Sequence, residues 1–485
     1  MMIKLTTIMV AMLLSIGAWA QSEGKATLKG DINNDGLVNY ADVRALIDYI
    51  MKGEHQEDTN QTEPTAARIV VMTDTHVMAP ELLVNDGTAW QSFLTNDHKM
   101  VDYSVKLFDK MVSDLQTTIR PDLVIITGDL TKDGELVSHQ YVASKLAELK
   151  AAGIPTLVIP GNHDLGTANA MYYDGDTSQP AETASMEQFA TIYADYGYTG
   201  SDRESTTLTY ACEPISGVVM IGIDTGQEGT LSETTLNWVC DKANEAFCSG
   251  KQVITFMHHP LVPHFHGAET FVSYAVLNNY ETVRNRLADA HVRLVLTGHF
   301  HTSDIARDWN AGLTSEIYDV GTGSLISYPC HYRELTIAAD RQQVDVSTRS
   351  ISELEPGDNF ANDSRIRLKN STAKVAQNRL ATYSSMVSLV TPSIGEAFTY
   401  HAAGDEHRST DAQKLMDSLL GSISLAKMLK IINEEKALDY EQMLKSMLKD
   451  LSAFGDLQRE DQTDDLQLTI TLPTHPKIDI EQSLK

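Results

Sequence analysis

Five short apolar runs in this chain each end in side chains with hard oxygen or imidazole groups. Ile69-Val70-Val71-Met72 leads to Asp74-Thr75-His76, and Leu123-Val124-Ile125-Ile126 to Gly128-Asp129. Thr156-Leu157-Val158-Ile159 leads to Gly161-Asn162-His163-Asp164. Val253-Ile254-Thr255-Phe256 leads to His258-His259-Pro260, and Leu294-Val295-Leu296 to Gly298-His299-Phe300-His301. Continuous runs rich in β-branched residues read as buried strands. Each polar block then falls where a strand leaves the core, and five repeats of that arrangement do not arise by chance.

Between these runs lie amphipathic helical patterns, such as Val101 to Leu115 with Val105, Leu107, Phe108, Met111 and Leu115 on one stripe. Strands alternating with helices imply α/β layering over residues 68–350. Leu208-Thr209-Tyr210, Val218 to Ile221, Ile317 to Val320, Glu334 to Ile337 and Val344 to Val346 are expected as antiparallel outer strands. Residues 351–485 change character: Leu415, Leu419, Leu420, Ile423 and Leu425 point to a mainly helical appendage, with one strand at Leu468 to Leu472. A chain of 485 residues has room for two or three domains and a core that needs no covalent staples. The four cysteines, Cys212, Cys240, Cys248 and Cys330, occupy no metal or nucleophile position; Cys240 and Cys248 are the nearest pair for a bridge.

The start of the chain carries addressing information. Lys4, an apolar stretch from Leu5 to Ile16 and the small-residue site Ala18-Trp19-Ala20 read as a signal peptide over 1–20, with cleavage before Gln21. Export to the periplasm or the extracellular space is therefore expected. No later stretch is long and apolar enough for a membrane span. The net charge of −28 argues against a nucleic-acid partner, since phosphate backbones are held by clustered Lys and Arg.

Residues 21–54 hold a second signature. Asp31, Asn33, Asp35, Asn39 and Asp42 fall at loop positions one, three, five, nine and twelve, with Gly36 at six and the Leu37 carbonyl at seven, a spacing that wraps calcium. Val43, Leu46, Ile47, Ile50 and Met51 then make an apolar helical stripe. This segment resembles one repeat of a dockerin module, which implies a cohesin-like partner; dockerins carry two such repeats, and only one is found here. Residues 55–67 are polar and aperiodic, a linker.

The five blocks suit one chemistry. Asp74 and His76, two apart at a strand end, point the same way and can share a metal. Asp129, after Gly128, can bridge two cations about 3.5 to 4 Å apart, the spacing used for in-line phosphoryl displacement. Asn162 adds a neutral oxygen, His258 and His299 add nitrogens, and His301 completes the first ion's set. Mixed imidazole and carboxylate ligands suit Zn, Mn, Fe or Co more than Mg or Ca. Two such ions would turn a bridging water into hydroxide near neutral pH. His163, next to Asn162 and oriented by Asp164, is the natural general acid for the leaving group.

The set resembles the calcineurin-like metallophosphoesterase superfamily over about residues 68–340. The resemblance implies a four-layer αββα sandwich with a dinuclear site. One metal would take Asp74, His76, Asp129 and His301; the other would take Asp129, Asn162, His258 and His299. His258, two before Pro260, is the ligand and His259 its neighbour. Asp129-Leu130-Thr131-Lys132-Asp133-Gly134 is similar to the bacterial cyclic-nucleotide phosphodiesterase branch. Lys132 stands where purple acid phosphatases have Tyr, and Asp164 where protein Ser/Thr phosphatases have Glu. The expected function is an exported phosphoesterase acting on a phosphodiester or a small phosphomonoester. The rival is a non-catalytic calcium-binding scaffold of an extracellular or cell-surface assembly. His264, His266 and Arg333 are further cleft candidates, and the aromatic residues between Met171 and Tyr198 a candidate substrate wall.

Overall fold

The structure, a computed structural model, describes residues 65–265, 275–380, 391–404, 410–428, 432–447 and 465–474, with the single residues Asp42, Ala268 and Lys430. The chain divides into two compact units, Met1–Glu57 with Pro476–Lys485, and Asp58–His475. In the first unit only Asp42, buried and helical, is among the described residues. The expected signal segment, the calcium ligands Asp31, Asn33, Asp35, Leu37 and Asn39, and most of the linker lie outside them.

The second unit begins with strands β1 (Ala67–Met72), β2 (Leu83–Asn85), β3 (Leu123–Ile126), β4 (Thr156–Val158), β5 (Met171–Asp174), β6 (Thr177–Pro180), β7 (Asp202–Arg203) and β8 (Tyr210–Ile215). It continues with β9 (Val218–Ile223), β10 (Gln252–Met257), β11 (Leu294–Thr297), β12 (Asp304–Trp309), β13 (Glu316–Gly321), β14 (His331–Ile337), β15 (Gln343–Ser350) and β16 (Gln467–Thr471). Helices α1 (Thr88–Asn96), α2 (Ser104–Asp114), α3 (Leu136–Ala151), α4 (Met186–Ile192), α5 (Glu233–Cys248) and α6 (Tyr280–Asp289) connect them. Four more, α7 (Phe360–Leu380), α8 (Thr391–Ala403), α9 (Thr410–Met428) and α10 (Glu434–Met447), precede β16.

Two mixed sheets hold the core. One runs β16-β15-β14-β1-β3-β4 and the other β12-β13-β11-β10-β9-β8-β7; β2, β5 and β6 make a small third sheet. Side chains of both large sheets share one apolar cluster, and the Tyr210 hydroxyl of β8 donates to the Val158 carbonyl of β4 at 3.0 Å. Helix α3 packs on β4, α5 on β9 and β10, and α6 on β12 and β13, giving helix, sheet, sheet and helix layers. This is the expected α/β sandwich with a helical appendage.

Strand burial follows the sequence pattern. Leu123-Val124-Ile125-Ile126 is buried throughout and pairs in parallel with β1 and β4, as a strand covered on both faces must be. In β15, by contrast, Val344 and Val346 are buried while Gln343 and Asp345 are exposed, the alternation of a strand with one wet face. Two expected outer strands are instead interior. β9 and β13 are antiparallel to β8 and β12 as expected, but parallel to β10 and β11 on their other sides, because Val218-Val219-Met220-Ile221 and Ile317 to Val320 have too little polar alternation for an exposed edge. β14 and β15 are antiparallel as expected, and the strand anticipated at Leu468 to Leu472 is β16 on the edge of β15.

The appendage is fastened to the sheets by buried polar groups. Arg333 is fully buried; its guanidinium donates to the Gly321 carbonyl at 2.6 Å, to the Asp465 carbonyl and to Thr348 Oγ1. It therefore joins β14 to the segment that leads into β16. The Asp465 carboxylate accepts from the Ile305 amide at 2.8 Å. The four cysteines are free thiols, and no described helix is long and apolar enough to cross a membrane.

Candidate metal centre

The parallel strands deliver their polar blocks to one place. Asp74 and His76 follow β1, Asp129 follows β3, Asn162 follows β4, His258 follows β10, and His299 and His301 follow β11. This is the carboxyl edge of two sheets, where open α/β folds gather ligands. The chain turns sharply to do it. Asp74, His76, Asp129, His299 and His301 all adopt φ between 36° and 66°. Non-glycine residues held there cost roughly 1 to 3 kcal/mol each, a strain that concentrates at functional sites. Gly128, at φ 95°, removes a different obstacle, since a Cβ there would sit 2.6 Å from the His258 ring.

Two donor clusters result. In the first, His301 Nε2 lies 3.0 Å from Asp74 Oδ1 and 3.2 Å from His76 Nε2. In the second, His258 Nε2 lies 3.0 Å from Asn162 Oδ1, 3.1 Å from His299 Nδ1 and 3.4 Å from Asp129 Oδ2. Asp129 Oδ2 is also 3.5 Å from His76 Nε2, so one carboxylate oxygen faces both clusters. Ligands about 2.1 Å from one ion stand about 3.0 to 3.4 Å from each other, which is what these separations show.

In Asp74, Asp129 and His258 the outer atoms are already committed, which aims the inner ones. Asp74 Oδ2 accepts from Thr73 Oγ1 at 2.7 Å and the His299 amide at 2.9 Å, while Asp74 Oδ1 is buried without a well-formed hydrogen bond. Asp129 Oδ1 accepts from the His163 amide at 2.8 Å, leaving Oδ2 as the shared atom. His258 Nδ1 donates to the Thr127 carbonyl at 2.9 Å, which fixes the tautomer that presents Nε2.

The electrostatics ask for cations. Burial, reinforced by the Lys99 charge, holds His76 well below its ordinary value, and burial with the neighbouring His258 takes His299 down to about 3. Both rings are then neutral and present lone pairs. Burial would lower His258 too, but the Asp129 carboxylate raises it to about 9. A proton there occupies the place of a cation, and metal loading should release it.

His163 stands beside the centre, its ring 5.1 Å from that of His76. Its Nδ1 is 2.7 Å from Asp133 Oδ1, which leaves Nε2 for the cleft. Burial opposes the charge on His163, yet Asp129 and the Asp133 hydrogen bond raise its pKa. The orienting carboxylate is therefore that of Asp133, and the structure puts Asp164 elsewhere. Asp164 is fully buried and accepts from the amides of Leu130 (3.0 Å), Thr131 (2.9 Å) and Gly161 (2.8 Å) and from Thr131 Oγ1 (2.9 Å). It ties the loop after β3 to the loop after β4. Asp164→Ala is expected to cost about 3 to 5 kcal/mol in chemical unfolding, because three buried amides lose their acceptor; a loss below about 1 kcal/mol would contradict that role.

Asp133 in turn meets Lys132 through its other oxygen. Lys132 is buried, 3.4 Å from Glu135 Oε1 and 4.9 Å from the Phe93 ring centre. The sequence signal for Asp133 was its place four residues after Asp129, before the turn at Gly134; adjacency to His163 pointed to Asp164 instead.

The other candidates fall away from the cleft or remain open. His259 Nδ1 is 2.8 Å from Thr225 Oγ1, and its ring packs 4.5 Å from that of His299 as a neighbour of the ligands. His264 is buried between Asp304 (3.3 Å) and Asp319 (3.1 Å), an enclosed imidazolium raised to about 10 against the cost of burial. His266 lies outside the described residues. Tyr173, Phe189, Tyr193, Tyr196 and Tyr198 are buried in the main core as packing. His401 of α8 borders the ligand loop, its ring 6.3 Å from Phe300.

Residues 67–303 match the calcineurin-like phosphoesterase family. The 3',5'-cyclic adenosine monophosphate phosphodiesterase CpdA of Escherichia coli is 25% identical over 250 residues, covering 50% of this chain and 72% of that protein. A probable glycerophosphodiester phosphodiesterase, GpdQ, of Arcobacter nitrofigilis is 25% identical over 242 residues, covering 48% and 71%. Among solved structures, a dimetal phosphatase from Danio rerio aligns with a TM-score of 0.42 at 13% identity, covering 59% of this chain and 96% of that one.

Proposed function

Residues 67–303 match the calcineurin-like phosphoesterase family, and from that premise we propose that the chain hydrolyses phosphodiester or small phosphomonoester substrates, with His163 as general acid. The observation that carries this reading is Asp129 Oδ2, 3.5 Å from His76 Nε2 and 3.4 Å from His258 Nε2, a single carboxylate oxygen shared by two donor clusters. Asp74, His76, Asp129 and His301 would hold one divalent ion, and Asp129, Asn162, His258 and His299 the other. When bound, such ions supply charge that activates water and stabilises the phosphoryl oxygens, and these ligands suit Zn, Mn, Fe or Co.

The protein's own groups do the rest. The Thr127 carbonyl and Thr73 hydroxyl hold His258 and Asp74 in ligating orientation. His163, on the Asp133 carboxylate, keeps a proton on Nε2 for the departing ester oxygen. The relatives' names make phosphodiesters the first substrate class to try.

The test is a panel of alkyl and aryl phosphate mono- and diesters, assayed before and after chelation. Removing metal is expected to lower turnover by at least about 100-fold, with Mn or Zn restoring it. No hydrolysis of any ester by the reloaded protein would overturn the reading. Calcium as the sole metal retained would favour a scaffold.

We propose further that the chain is exported to the periplasm or beyond, with residues 1–20 as its signal, as Lys4, the apolar stretch from Leu5 and Ala18-Trp19-Ala20 indicate. N-terminal sequencing should then read from Gln21; retention of Met1 would refute export by cleavage. The loop Asp31 to Asp42 would bind calcium and dock to a cohesin-like partner. Calcium titration of wild type and Asp35→Ala checks the first half, and unchanged binding in the variant would exclude it.

A further inference from the structure

Lys99 has no part in the reading above, and its surroundings are unusual for a lysine. It is only 7% exposed. Among the described residues its ammonium makes no hydrogen bond, and the nearest carboxylate oxygen, Asp97 Oδ2, is 3.8 Å away. The stem is sunk in the protein and the ammonium is left without a close acceptor, so it is free to meet an anion.

Its position says which anion. Lys99 follows α1 in a loop that reaches the metal centre: the ring of the preceding His98 is 5.4 Å from that of His301. The Asp97 carboxylate beside the ammonium belongs to the same loop, so the charge sits on the segment that meets His301. The loop thus carries the ammonium to the first donor cluster, where His301 lies 3.2 Å from His76 and the His76 ring lies 5.1 Å from that of His163, the candidate acid.

The loop is held there from outside the catalytic layers. Arg367 of α7 donates to the Lys99 carbonyl at 3.3 Å and pairs with Asp102 at 2.7 Å. Lys374, about two helical turns further on, donates to the Thr95 carbonyl at 3.1 Å. The Met100 amide donates to the Ile326 carbonyl at 2.9 Å, and Asp97 Oδ1 accepts from the Lys99 amide at 2.9 Å. The helical appendage therefore braces the segment that carries the lysine.

We infer that Lys99 receives an unesterified phosphoryl oxygen of the substrate, and that it thereby equips this site for phosphomonoesters in addition to diesters. This rests on the phosphoesterase reading. A diester presents two unesterified oxygens in total and a single negative charge, whereas a monoester at neutral pH presents a third oxygen and a second charge. A cation placed beside the acid and the first donor cluster contributes most where that third oxygen exists. The bracing by Arg367 makes α7 a positioning element for the same contact.

The experiment compares wild type, Lys99→Met, Lys99→Arg and Arg367→Ala, each loaded with the same metal and checked for equal metal content. In Lys99→Met, kcat/KM for an aryl monoester is expected to fall about 30-fold and for the matching diester about threefold or less. Lys99→Arg should recover most of the monoester loss, and Arg367→Ala should shift the ratio the same way by a smaller factor. Calorimetric titration with inorganic phosphate gives a readout apart from turnover: its Kd should weaken by about 30-fold in Lys99→Met. Equal losses on both esters, or an unchanged phosphate Kd, would overturn the inference while the phosphoesterase reading stands. A wild type inactive on both esters would sink that reading instead, and the phosphate titration would still judge Lys99.

Discussion

Asp129→Ala is expected to reduce kcat/KM by about 1,000-fold or more and to lower the retained transition metal from about two equivalents to one or fewer. The reason is that both donor clusters use the same oxygen. Asp129 Oδ2 is within 3.5 Å of both His76 Nε2 and His258 Nε2, so no single-cluster ligand could be lost with the same effect. Burial would raise this carboxyl, but the charges of His258 and His163 hold it well below the usual range, so it is ionised and ready for cations. Asp129→Asn separates charge from shape. An amide oxygen can still accept from the His163 amide, which Asp129 Oδ1 now does at 2.8 Å, so the loop after β4 should keep its position. Metal content measured by elemental analysis after dialysis decides the matter: two equivalents retained by both variants would remove Asp129 from the centre.

How much of this centre could be read from sequence depended on how far each group lies from the strand that delivers it. Asp74, His76, Asp129, His258, His299 and His301 sit within four residues of a buried strand end, so the apolar run and the ligand are read together. Their convergence follows once the strands are parallel, because parallel neighbours discharge at the same edge. Groups brought by packing had no such local signal. Asp133 and Asp164 are the same residue type and both close to the relevant blocks, but the turn at Asp164 carries its oxygens onto the amides of Leu130, Thr131 and Gly161. Lys99 lies in a loop braced by a helix more than 250 residues later, a contact no local periodicity encodes. Arg333 illustrates the reverse. A lone Arg in a polar stretch suggests a phosphate clamp or a surface ion pair, yet its neighbours in β14 alternate buried and half-buried, and position 333 is one of the buried ones.

Removal of the acid is the other large effect, and its size should depend on the ester. With an alkoxide leaving group, His163→Gln is expected to lower kcat by roughly 100- to 10,000-fold, the range of general acid catalysis, because an alkoxide cannot depart unprotonated. An aryl ester of low leaving-group pKa needs little protonation and should lose less than about tenfold. That dependence, measured on a series of leaving groups, distinguishes an acid from a residue that merely shapes the cleft, whose removal would depress all esters alike. The partner gives the sign of the pH effect. A general acid works while protonated, so activity is present below its pKa and lost as pH rises through it. Burial opposes the His163 charge, while Asp129 and Asp133 raise its pKa. Asp133→Asn removes one of those two charges, so the alkaline limb of kcat should move to lower pH relative to wild type carrying the same metal. A limb that stays in place, or moves to higher pH, would mean that the proton lost there is not the one on His163.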